Sequence, residues 1–167
     1  MDFRIKFSGK GHNYTQDEID AVISAMRTAD PYTQGTYQKV FEQEFCRYIG
    51  ADHAFAVNNA TAALELAAQL CQLQPGDEVI IPAHTFTSSA YPFAKKGATI
   101  VWADIDLRSR VVTVDTLAKK ITPKTKAIVV VHLYGYSADM PEIVDLAAEQ
   151  DILVIEDAAQ SMGTAIG

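Results

Sequence analysis

Ala127-Ile128-Val129-Val130-Val131 is an uninterrupted apolar run, and it decides the fold class. A strand with one wet face alternates apolar and polar side chains. A run with no polar member suits a sheet covered by helices on both faces, which is the parallel α/β arrangement. Working outward from it, strands are expected over Glu78–Ile81, Thr99–Ile105, Ala127–Leu133 and Ile152–Glu156, separated by helices over Ser88–Lys95, Asp115–Lys120 and Met140–Glu149. Further upstream, Ala54–Val57 reads as a short strand, followed by a helix through Leu64, Leu66, Ala67 and Leu70. Gln74-Pro75-Gly76-Asp77 is a turn, because proline presets φ and glycine accepts a positive one.

Two helices precede this alternation. Thr15-Gln16-Asp17-Glu18 is a capping box, in which each end satisfies the other's free backbone N–H. Behind it Ile19, Val22, Ile23 and Met26 keep one apolar face until Asp30-Pro31 ends the helix. After Gly35, residues Tyr37, Val40, Phe41, Phe45 and Tyr48 recur at helical spacing, and Gly50 supplies a left-handed C-cap. The expected organisation is an N-terminal arm and helix over 1–35 and an α/β region over 36–167.

A chain of 167 residues, 49% hydrophobic and 21% charged, has the size and composition of one globular domain. Its formal charge of −7 argues against nucleic acid or an anionic membrane as the main partner. No apolar run approaches the ~20 residues that cross a bilayer, and the N-terminus has no continuous apolar segment of a secretory signal. A cytoplasmic protein is expected. Cys46 and Cys71 fall in helical segments with neither C-x-x-C nor metal-knuckle spacing. They read as small buried apolar residues in a reducing compartment, and no metal site is expected.

Ligand crevices of open α/β sheets lie beyond the carboxyl ends of the strands. Read in order, those ends are Asn58-Asn59-Ala60-Thr61, Pro82-Ala83-His84-Thr85-Phe86, Asp104-Ile105-Asp106, His132-Leu133-Tyr134 and Glu156-Asp157-Ala158-Ala159-Gln160. The first turns directly into a helix, whose free N–H groups and dipole favour an anion; taken alone, Asn59 or Thr61 is equally a plain helix cap. Neither a G-x-x-x-x-G-K nor a G-x-G-x-x-G is present, which weighs against the common nucleotide sites. Asp157 closes a buried strand, where a carboxylate is costly unless it meets a cation or several donors. Period-two alternation sends Glu156 and Asp157 to opposite sides, so they do not form an acid dyad.

In this order, Phe55-Ala-Val-Asn-Asn-Ala-Thr-Ala-Ala-Leu64, Pro75-Gly-Asp-Glu-Val-Ile80, Pro82-Ala-His-Thr-Phe86, Val131-His-Leu-Tyr-Gly135 and Val154-Ile-Glu-Asp-Ala-Ala-Gln160 closely resemble the DegT-type sugar aminotransferases. Those enzymes use pyridoxal 5′-phosphate (PLP) on the type I aminotransferase fold. The resemblance runs from about Phe41 to Gly163 and implies a large domain with a mostly parallel sheet, here incomplete at its C-terminus. It implies that Ala60, Thr61 and Ala62 hold the cofactor phosphate and that Phe86 stacks on the pyridine ring. It further implies that Asp157 pairs with the pyridine nitrogen and that Gln160 sits near the ring hydroxyl. The implied reaction moves an amino group, commonly from glutamate, to a keto group of a nucleotide-linked deoxysugar, for amino-sugar and surface polysaccharide synthesis. A homodimer is the implied assembly.

In the family the lysine that forms the Schiff base with PLP lies beyond the Asp-Ala-Ala-Gln motif. None of the nine lysines of this sequence stands at the matching position. The expectation for these 167 residues alone is therefore an inactive chain, either a PLP-binding remnant or an assembly partner.

Overall fold

Four of the five strands expected of the α/β region are present and pair into one parallel sheet in the computed structural model, which describes residues 13–166. Their order is β2-β1-β3-β4, with β1 at Glu78–Pro82, β2 at Thr99–Ala103, β3 at Thr125–Val131 and β4 at Leu153–Asp157. The apolar run that decided the fold class lies in β3, between β1 and β4, and residues 127–131 are buried throughout.

Helices line both faces, as expected. On one, Ala68 of α3 (Ala60–Leu70) and Phe93 of α4 (Tyr91–Lys95) pack on Val79, Ile81, Val129 and Val131. On the other, Leu117 of α5 (Val114–Ala118) and Ile143 and Ala147 of α6 (Met140–Ala148) pack on Ile80, Ile128 and Val130. Odd and even positions of the interior strands β1 and β3 thus feed two separate apolar layers, as the period-two pleat dictates, while the outer strands leave Trp102 and Leu153 exposed.

The chain divides into two compact units, Met1–Ala56 and Val57–Gly167. The first holds α1 (Gln16–Thr28) and α2 (Thr36–Ile49). The capping box forms: the Glu18 carboxylate accepts from Thr15 N–H at 2.6 Å, and Thr15 Oγ1 accepts from Glu18 N–H at 3.3 Å. Gly50 ends α2 at φ 71°. The apolar faces read from the sequence are both there, but Val22, Met26, Phe41 and Tyr48 are all exposed among the described residues.

Several expectations need correction. Ala54–Val57 is not a strand; residues 53–57 carry no regular structure. No strand of the sheet pairs with them, so there is no ladder to hold them extended, and the Ala56 N–H is taken instead by Glu42 Oε1 at 2.8 Å. That donated bond, with a second from Gln38, holds the Glu42 carboxyl below the usual range. The helix expected over 88–95 is split into a 3₁₀ turn, Thr87–Ser89, and α4. Pro92 causes the split, since its ring is tolerated in a first helical turn and obstructs one already running from Ser88. In α3 the buried positions are Leu64 and Ala68, four apart, whereas Leu66 and Leu70 face outward. β2 stops at Ala103 rather than Ile105 because its partner β1 ends opposite, at Pro82. Cys46 and Cys71 are free and only half-buried; that burial still pushes the Cys71 thiol up.

Candidate active site

Four chain segments, the start of α3 and the carboxyl ends of β1, β3 and β4, meet around a cavity of about 190 Å³, and three of them carry the residues singled out from the sequence. The first is the start of α3. Asn59 caps it: its Oδ1 accepts from Ala62 N–H at 2.9 Å, so the capping reading holds for Asn59 but not for Thr61. Thr61 instead turns its hydroxyl across to Ser88, 2.8 Å away. Helix geometry leaves the Ala60 and Thr61 N–H groups without intrahelical acceptors, at the positive end of the macrodipole.

The second segment follows β1. Phe86 opens the 3₁₀ turn and leaves most of its ring exposed beside the cavity, 69% of the residue's surface. An aromatic so exposed, next to a buried core, is a ready stacking surface. Three residues on, Ser89 is fully buried.

The third segment is the end of β4. Asp157 is buried at 9% exposure, with Oδ2 accepting from Ser89 Oγ at 2.6 Å and Oδ1 from Ala159 N–H at 3.2 Å. Gln160 follows, and its Oε1 accepts from Tyr134 N–H at 3.0 Å. Tyr134 reaches that position through a left-handed backbone, φ 57°, inside the turn after β3. Because the Gln160 carbonyl oxygen is used this way, its NH₂ is the end left free to donate to another group.

Five of the six residues singled out from the sequence therefore line one cavity: Ala60, Thr61, Phe86, Asp157 and Gln160. Ala62 does not line it, and its amide is held by Asn59. Sequence reasoning missed Thr85, Ser88 and Ser89. The only signal was a run of four hydroxyl residues around Phe86, Thr85 to Ser89, which reads as ordinary turn chemistry.

Glu156 and Asp157 do point to opposite sides. Glu156 accepts from His132 Nε2 at 2.9 Å, while His132 Nδ1 accepts from the buried Ala138 N–H at 3.2 Å. A ring nitrogen that accepts carries no proton, so the tautomer is fixed with its hydrogen on Nε2. The hydrogen bond from His132 holds the Glu156 carboxyl below the usual range against the opposing effect of burial. A depressed folded-state value means stability present above the unfolded value and lost as pH falls through the folded one. Urea unfolding on the acid limb checks this: the native chain loses that increment as pH falls, and Glu156→Gln, which cannot titrate, shows a correspondingly flatter limb.

A family model covers residues 13–167, the model of the DegT/DnrJ/EryC1/StrS aminotransferase family. The chain belongs to that family. It is 43% identical over 147 residues to GDP-perosamine synthase of Caulobacter vibrioides, covering 88% of this chain and 40% of that protein. Among solved structures, an aminotransferase from Psychrobacter cryohalolentis superposes with a TM-score of 0.84 at 38% identity, covering 90% of this chain and 38% of that one. The E. coli GDP-4-keto-6-deoxy-D-mannose-3-dehydratase, solved with bound hydrated PLP, superposes at 0.86 with 27% identity, covering 94% and 42%. The chain thus spans about two fifths of the length of the curated relatives it matches.

Proposed function

We propose that this chain carries most of the PLP cradle of an aminotransferase acting on a keto-sugar nucleotide, with glutamate as amino donor, in amino-sugar or surface polysaccharide synthesis. The observation that carries the reading is Asp157. It is a buried carboxylate facing a cavity that, among the described residues, is lined by no lysine or arginine. Its two internal donors, the Ser89 hydroxyl and the Ala159 amide, leave further acceptor positions open, and a cationic hydrogen-bond donor arriving from the cavity suits them. A protonated pyridine ring is one, and the exposed Phe86 ring, the α3 N-terminus and the Gln160 amide suit its flat face, its phosphate and its hydroxyl.

In this reading the Ala60 and Thr61 amides, with the paired Thr61 and Ser88 hydroxyls, bind the phosphate. Ala62 completes the turn as a small residue whose amide is already engaged. Phe86 fixes the ring plane, and Asp157 holds the proton on the ring nitrogen. Gln160 donates its NH₂ toward the ring hydroxyl. Bound there, PLP supplies the electron sink that amino transfer needs. Residues 1–35 serve as an arm and 36–167 as part of the cofactor domain of a cytoplasmic homodimer.

A second reading has its own observation: no lysine lines the cavity among the described residues, and Lys95 is turned to the surface, paired with Glu65 at 3.2 Å. In it the chain holds PLP without turnover, as a remnant or as the partner of another aminotransferase chain. One experiment separates the two. The protein is mixed with PLP, L-glutamate and a nucleotide-linked keto-deoxysugar, and PLP absorbance and 2-oxoglutarate are followed. With the chain joined to a segment that carries the family's Schiff-base lysine, saturable binding with 2-oxoglutarate released in step with aminosugar is the expected result. Binding without transfer selects the second reading, and no binding overturns both.

A further inference from the structure

Asp157 does not stand alone against α3 and β4. Ser89 Oγ lies 2.6 Å from its Oδ2, and Thr85 Oγ1 lies 2.7 Å from Ser89 Oγ. A hydroxyl has one proton to give, and an ionised carboxylate can only accept. Ser89 therefore spends its proton on Asp157, and Thr85 must donate to Ser89. The direction of the chain is fixed: Thr85 to Ser89 to Asp157.

We propose that Ser89, backed by Thr85, is a positioning residue that holds the Asp157 carboxylate plane fixed toward the cavity. The consequence follows from the geometry. With Ser89 on one oxygen and the Ala159 amide on the other, both carboxylate oxygens are tethered, so the side chain cannot rotate away from the cavity. A carboxylate held in one orientation presents its remaining lone pairs to the cavity in a constant direction, so a donor arriving there meets a preorganised acceptor. The pair reaches across 68 residues of sequence, from the turn after β1 to the end of β4, in a fully buried contact that solvent cannot replace.

The other charged groups near Asp157 do not account for this. Glu156 faces the opposite layer, bonded to His132, and the ring nitrogens of His132 are both engaged away from the cavity. The proposal rests on the cofactor reading only for what Asp157 faces; the tether itself belongs to the cofactor-free chain.

The test uses the full chain without cofactor, with the order of the Asp157 side chain followed by carbon NMR relaxation at a fixed neutral pH. Ser89→Ala is expected to turn an ordered carboxylate into a mobile one. Ser89→Thr keeps the hydroxyl and is expected to restore the native order. Thr85→Val, a gentler change, loosens the side chain by less. An Asp157 side chain equally ordered in the native chain, Ser89→Ala and Thr85→Val overturns the proposal. PLP titration is the second readout: Ser89→Ala weakens binding about tenfold and Ser89→Thr does not. If the order changes as expected while no variant, nor the native chain, binds PLP, the tether stands and the cofactor reading falls.

Discussion

Asp157→Ala is expected to weaken PLP binding by about thirty-fold to several thousand-fold, the equivalent of the roughly 2–5 kcal/mol lost when one partner of a buried, hydrogen-bonded charge pair is truncated. The size follows from burial. At 9% exposure, water cannot stand in for the carboxylate, so a cationic ring nitrogen would face an apolar gap. In the cofactor-free protein the same change strands the Ser89 hydroxyl and the Ala159 amide but also removes a buried charge, and these effects oppose each other. Its signature is therefore a large affinity loss with a modest change in unfolding free energy. Asp157→Asn sharpens the test, because it keeps the shape and the acceptor for Ser89 and removes only the negative charge. PLP titration of both variants is the measurement; affinity retained in Asp157→Asn would mean the charge is not what the ring meets.

Phe93→Ala is expected to have the largest effect on stability, about 3–5 kcal/mol by urea unfolding. Phe93 is fully buried, and it is the bulkiest of the fully buried side chains. It fills the layer between α4 and the sheet, against Val79, Ile81 and Ala98. Domains of this size are stable by only about 5–15 kcal/mol, so such a loss consumes a large share. It also reaches the site, because α4 follows directly on the turn that carries Phe86 and Ser89. A variant that unfolds with nearly native stability would contradict the packing described for this face.

The sheet was legible because its strands are apolar runs whose lengths match their partners, and β3 shows this most clearly. The opposed directions of Glu156 and Asp157 were legible too, since alternation along a strand is a geometric rule. Where the reading failed, the deciding interaction lay outside the segment in two cases and in a single residue inside it, Pro92, in the third. Ala54–Val57 has strand composition but no neighbour to pair with. Residues 88–95 have helical composition interrupted by one proline ring. Ser89 looked like turn punctuation because the carboxylate it serves is 68 residues away. The Asp157 cradle was found through a pattern of motifs, and only the fold revealed the hydroxyls behind it.

The order of the strands has a consequence for how this site breathes. Among the described residues Asp157 sits on β4, at the edge of the four-stranded sheet, whereas Phe86 and Ser89 follow β1, in its interior. Edge strands open at lower free-energy cost than interior ones, in local fluctuations that leave the rest folded. When β4 lifts, the carboxylate leaves with it while the aromatic platform and the hydroxyls stay in place. A ligand gripped from both sides therefore works as a stitch across the sheet. Its binding free energy is recovered as resistance of the β4 amides to hydrogen exchange, growing with the logarithm of ligand concentration.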